Sequence, residues 1–207
     1  MRRATFAVAR TTALLSLPAI AALAFPIFAF ADTDETDAKH SGTFAQIGGG
    51  YHSSFISESS NDYDVSFDSP VFSARLIPQE NVALESNYYY PGAGDYTKGS
   101  ESGRSVFDVS GLELNALIST SLVDEGFYAY TGVGLFSETW ESTSSGNQYV
   151  ATGLQLPIGV GYNFGKFSID AQFALRDQDA YTKDVFSSDD ASMNDANTVK
   201  FRLFANL

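Results

Sequence analysis

The last nine residues, VKFRLFANL, put Val199, Phe201, Leu203, Ala205 and Leu207 on one side of an extended chain and Lys200, Arg202, Phe204 and Asn206 on the other. Side chains alternate across a strand with period two, so one face suits hydrocarbon and the other suits water or ion pairs. The pattern recurs upstream. Phe167, Ile169, Ala171, Phe173 and Leu175 oppose Ser168, Asp170, Gln172, Ala174 and Arg176. Leu154, Leu156, Ile158, Val160, Tyr162 and Phe164 oppose Gln155, Pro157, Gly159, Gly161 and Asn163, and Gly165-Lys166 between these two runs is a hairpin signal.

Five further segments extend the pattern, at 43–52, 65–77, 82–91, 105–118 and 127–138. In the third, Val82, Leu84, Ser86, Tyr88 and Tyr90 oppose Ala83, Glu85, Asn87 and Tyr89; in the fourth, Leu112, Leu114, Ala116 and Ile118 oppose Gly111, Glu113, Asn115 and Leu117. The first and fifth are glycine-rich, so a bulge there is able to exchange their faces.

Residues 1–31 read as a secretory signal peptide: Arg2, Arg3 and Arg10, an apolar stretch from Thr12 to Phe30, and Ala29-Phe30-Ala31 before Asp32 as a cleavage site. An uncleaved anchor is the rival reading, opposed by Pro18 and Pro26. Residues 32–42 (DTDETDAKHSG) are polar and aperiodic, and we expect a flexible periplasmic tail. After Phe30 no run of 18 apolar residues follows. An exported chain of this kind enters a membrane only as a closed barrel, which satisfies every backbone hydrogen bond within itself.

The connections at 53–64, 92–104, 139–150 and 177–197 are long and polar, and those at 78–81, 119–126 and 165–166 are shorter. This alternation predicts an all-β fold over 43–207: an eight-stranded antiparallel up-and-down transmembrane β-barrel with outward-facing long loops and both termini periplasmic. Tyr51, Tyr88, Tyr90, Trp140 and Tyr149 at the loop ends, and Phe127, Tyr162, Phe164 and Phe167 at the turn ends, form two expected aromatic girdles. The competing reading makes these the core aromatics of a secreted sandwich or lipocalin-like barrel.

On this pattern, residues 43–207 resemble the small eight-stranded outer-membrane barrels of the OmpA/OmpX type, the porin family that includes the Ail/Lom and Opa-like proteins. The resemblance implies that Phe201, Leu203, Ala205 and Leu207 carry the signal read by the outer-membrane assembly machinery. Members of the group end in an aromatic residue, whereas this chain ends in Leu207. The implied location is a Gram-negative outer membrane, among its lipids and lipopolysaccharide.

The same alternation lines the lumen with Arg75, Glu85, Glu113, Glu138, Asp170, Arg176, Lys200 and Arg202, with Gln46, Asn87, Asn115, Gln155 and Gln172 among them. Eight strands leave an interior that side chains just fill, and buried ions require partners. The expectation is a lumen plugged by ion pairs, with at most a narrow or gated ion path, and a porin-like or structural role. The alternative is a surface adhesion or recognition protein acting through its long loops, which carry −3, 0, −1 and −5 in chain order. A lipid A-modifying enzyme is more remote. His52 precedes Ser53 and Ser54, but adjacent residues on a strand face opposite sides and the next lies a full pleat repeat away. His40, the other histidine after the leader, falls in the tail.

The chain has no cysteine, which excludes disulfides and thiolate chemistry. Its net charge of −13 opposes nucleic acid as a partner. Asp184, Asp189, Asp190 and Asp195 match no calcium-binding repeat and read as a solvated acidic loop, so neither a metal nor a cofactor is expected. The sequence names no external ligand or receptor.

Overall fold

A computed structural model describes residues 44–58, 63–98, 101–184 and 193–207. The leader, the tail with His40, and Asp189 and Asp190 lie outside them. Eight strands follow one another: β1 (Phe44–Glu58), β2 (Tyr63–Gln79), β3 (Val82–Lys98), β4 (Glu101–Ser119), β5 (Gly126–Ser142), β6 (Gln148–Asn163), β7 (Phe167–Arg176) and β8 (Met193–Asn206). A short helix, α1 (Asp179–Asp184), follows β7. Each strand pairs antiparallel with its chain neighbours, and β8 pairs with β1 to close the barrel. Closure leaves no unpaired sheet edge.

The faces follow the period of two. Ile47, Phe72, Leu154, Leu156, Ile158, Val160, Ile169, Phe173 and Leu175 are exposed on the outside, as are Phe201, Leu203, Ala205 and Leu207 of the C-terminal run. Gly159 and Gly161 flank Val160 because they face inward beneath Tyr130 and Tyr128; an added Cβ would lie 2.1 Å and 2.4 Å from those rings. A turn at Gly165 joins β6 to β7 with φ of 88°, a conformation that favours glycine.

Seven outward-facing carboxylates, Asp64, Asp68, Asp95, Asp108, Glu141, Asp177 and Asp195, mark the loop end of the wall. Between them and the turns, no outward position of the described strands carries a charge. From Asp108 to Ile118 is about ten residues at ~3.3 Å each; with strands tilted by roughly 40°, the uncharged belt is about 25 Å tall. That matches the hydrocarbon-facing band of a membrane barrel.

The strands run further than the sequence pattern predicts. Segments 53–64, 92–104 and 139–150 are not long loops: β1 continues to Glu58, β3 to Lys98 and β5 to Ser142, with their partners extended to match. Above the belt the outward face no longer needs to be apolar, so polar residues continue the ladder. A register shift between Tyr89 and Gly92 of β3, at Tyr90-Pro91, resets that strand's faces in the extension.

Candidate functional site in the barrel interior

The eight charged residues assigned to the lumen face the axis, and each is buried. The register accounts for much of their pairing. Arg75 lies directly opposite Glu85 across β2–β3, and Asp170 lies opposite Arg202 across β7–β8. Arg75 Nε donates to Glu85 at 2.7 Å, and another of its nitrogens meets Asp170. Arg202 bridges the same two acids, with Nε 2.9 Å from Asp170 and Nη1 3.0 Å from Glu85.

A second group forms across the lumen. Arg176 of β7 reaches Glu113 of β4 at 2.6 Å and also meets Glu138 of β5, while Lys200 Nζ lies 2.8 Å from Glu113. The charges therefore divide into two neutral quartets: Arg75, Arg202, Glu85 and Asp170, and Arg176, Lys200, Glu113 and Glu138. Asn87 joins them, donating at 2.9 Å to both Glu85 and Glu113. Gln172, Gln155, Asn115 and Gln46 bind the remaining valences. Three of the cations also lie over rings, Arg75 at 4.3 Å and Arg202 at 5.2 Å from Phe204, and Arg176 at 4.5 Å from Phe136.

Apolar clusters close the interior on both sides of the quartets. At the loop end, Ile56, Val65, Phe67, Val71, Tyr89, Phe136, Trp140 and Tyr181 pack together. Tyr181, on α1, is wholly buried; its hydroxyl accepts from Arg176 at 2.9 Å and donates to Glu138 at 3.1 Å. At the turn end, Ile77, Ala83, Leu117, Leu122, Tyr128 and Tyr130 form the second cluster. A cavity of about 200 Å³ opens beside it, lined by Gln46, Ile77, Leu122, Asn163 and Asn206 among others.

Two of the expected girdle residues belong inside. Trp140 has no exposed surface: its indole donates to Glu138 at 3.0 Å and its ring meets Phe67 edge-on at 5.6 Å. Tyr149, opposite Trp140 in the β5–β6 register, packs half-buried against the same cluster. Tyr51, Tyr88, Tyr90, Phe127, Phe164 and Phe167 are exposed on the outer wall, with Tyr162 half-buried between Phe127 and Phe164.

His52 is not at the loop end of its strand but inside the barrel, stacked on Tyr89 with ring centroids 4.2 Å apart. Neither ring nitrogen has a hydrogen-bond partner, and neither has the Ser54 hydroxyl. Ser53 faces outward and donates to Asp68. The residues thus form no base–nucleophile pair.

No protein-family model matches the chain, and no curated protein matches it. Among solved structures it is similar to the outer membrane protein OprG of Pseudomonas aeruginosa, with 15% identity over 81% of this chain and 97% of that one, at a TM-score of 0.50. It is likewise similar to Ail, the attachment invasion locus protein of Yersinia pestis, in complex with the heparin analogue sucrose octasulfate, with 15% identity over 80% of this chain and 99% of that one and a TM-score of 0.50. The fold is that of the small eight-stranded outer-membrane barrels.

Proposed function

We propose that the protein is an integral outer-membrane barrel with a structural role, inserted with its turns and both termini on the periplasmic side and its extended strand ends outside. The uncharged outer belt, bounded by carboxylates at one end and turns at the other, carries this reading. The interior is a support for folding and not a standing pore. Two neutral ion quartets between two apolar clusters leave an ion no hydrated route, so conduction requires Tyr181 and the cluster beneath it to move. The chain performs no catalysis on this reading; lipid, lipopolysaccharide and the assembly machinery are its partners.

The carboxylates above the belt favour a second role at the outer rim, surface recognition. They set the chain apart from the Ail complex, whose ligand is a sulfated sugar: a ring of acids repels a polyanion, and suits a cationic or cation-bridged partner instead.

Membrane fractionation with heat-modifiable gel migration tests location and closure together. The expected result is outer-membrane recovery and a faster band without boiling, and a soluble, unshifted protein would refute the reading. In planar bilayers, we expect no conductance steps; regular steps would restore the porin-like role.

A further inference from the structure

The outer wall of the barrel is uneven near its turn end. Ala171 of β7 lies in register between Phe201 of β8 and Val160 of β6, so a single methyl stands between larger side chains. One row nearer the turns, Gly49 of β1 lies beside Leu203 of β8, which in turn lies opposite Ile169 of β7. Where Ala171 and Gly49 leave the wall low, an apolar groove of about 650 Å³ crosses the outer face. It lies within the uncharged belt.

Beneath the groove is a turn that carries two unpaired charges. Lys166 is exposed there, about 10 Å along β7 from Ile169. Its backbone is fastened: the Lys166 carbonyl accepts from Asn206 N at 3.0 Å, and the Gly165 carbonyl accepts from Asn206 Nδ2 at 2.7 Å. Phe164 and Phe167, on either side of the turn, stack with centroids 4.7 Å apart, and aromatic rings gather at headgroup depth in membranes. Glu125, from the connection before β5, rests against the same turn. Its Oε1 lies 2.6 Å from the point where a side chain on Gly165 would begin. Among the described residues, neither Lys166 nor Glu125 is held in an ion pair. Leu207, which bears the terminal carboxylate, lines the same turn-end cavity as Gly165, so negative charge exceeds positive at this corner.

We infer that this face binds one zwitterionic glycerophospholipid with a primary ammonium: its phosphate meets Lys166, its ammonium meets Glu125, and an acyl chain lies along the groove past Ile169 and Ala171. The inference rests on the membrane reading above, which puts the turns at the periplasmic surface. Charge complementarity selects the occupant. An anionic headgroup satisfies Lys166 but adds negative charge beside Glu125 and the chain terminus. A choline headgroup has the right charges but no N–H to donate to the carboxylate. A lysine at headgroup depth favours a nearby phosphate by roughly fivefold.

Native mass spectrometry of the folded protein tests this, after reconstitution in bilayers of equal parts phosphatidylethanolamine, phosphatidylcholine and phosphatidylglycerol with identical acyl chains and release into mild detergent. The expected result is a monomer that retains one phospholipid, phosphatidylethanolamine in several-fold preference to the other two. Because all three lipids carry the phosphate, Lys166→Ala should lower retention of each by about fivefold. Glu125→Gln should abolish the preference for phosphatidylethanolamine. Ala171→Phe fills the groove and should lower retention of all three. Heat-modifiable migration verifies folding of each variant, and Lys166→Gln replaces Lys166→Ala if the latter fails to fold. Equal retention of the three lipids, or preference for either of the others, overturns the inference. So does retention unchanged in the Lys166 variant, a preference unchanged in Glu125→Gln, or a dimer in place of the lipid-bearing monomer. Each of these outcomes leaves the membrane barrel standing, whereas a soluble protein with no heat-modifiable shift defeats both.

Discussion

Arg176 at the end of β7 and Tyr181 on α1 meet inside the barrel, 2.9 Å from guanidinium nitrogen to phenolic oxygen. The helix following the strand thus contributes a side chain to the ion network that the strand itself carries. Tyr181→Phe keeps the stacking on Phe136, with centroids 5.6 Å apart, but removes a partner from both Arg176 and Glu138. Hydrogen bonds to charged groups contribute about 1.5–3 kcal/mol, and a loss of that order is expected in urea unfolding from lipid vesicles. Tyr181→Ala also opens a cavity, for a total loss of about 3–5 kcal/mol. If α1 closes the loop end, only the alanine variant shows conductance steps.

Glu113 serves both Arg176 and Lys200, so its neutralisation leaves two buried cations short of a counter-charge. Glu113→Gln is expected to cost about 3–5 kcal/mol, the range for breaking a buried pair from one side. Adding Lys200→Met removes one stranded charge. The double variant should therefore be more stable than the sum of the single losses predicts, by about 0.5–3 kcal/mol in a double-mutant cycle.

Inward glycines make room for the tyrosines of the neighbouring strand. A methyl at Gly159 would meet the Tyr130 ring at 2.1 Å, whereas one at Gly49, on the outer face, meets only the Val71 carbonyl at 3.4 Å. Gly159→Ala should cost about 1–3 kcal/mol through overpacking. Gly49→Ala should unfold at nearly the wild-type urea concentration. Combining Gly159→Ala with Tyr130→Ala relieves the collision, so the second substitution costs less in that background than alone.

The period of two made the wall and the charged lumen legible because each strand is apolar on one side over the height of the belt. Strand ends were not legible, since beyond the belt both faces turn polar and Ser- and Asp-rich ladders look like loops. Trp140 shows the cost of reading position without parity. Its place beside a polar segment points to an outer girdle, yet it shares a face with Glu138, a lumen residue two positions earlier. Tyr149 follows from Trp140 by cross-strand pairing, which no single segment displays. Likewise, the unpaired state of His52 depends on what β2 and β8 set opposite it, a matter of register. Tyr181 was hidden for a different reason: α1 lies in a segment with no strand period, and only the fold brings it over the lumen.

The sharpest test of the membrane reading lies on the outer face of β6, where Leu156 and Gln148 are both exposed. Leu156 sits near the middle of the uncharged belt, while Gln148 sits at its loop-end margin, donating to Glu141 at 3.0 Å. In a barrel surrounded by water, arginine at either exposed position changes stability by less than about 0.5 kcal/mol. Across a bilayer the two differ. An arginine at the midplane costs about 2–4 kcal/mol and one near the interface about 0–1 kcal/mol, because the latter keeps its guanidinium in the headgroup region. Leu156→Arg is therefore expected to lower the urea midpoint of vesicle-inserted protein strongly, and Gln148→Arg to leave it unchanged or raise it slightly through Glu141. Neither substitution touches the C-terminal strand, so assembly should proceed in both. Equal, near-zero effects would mean that the apolar belt faces something other than acyl chains.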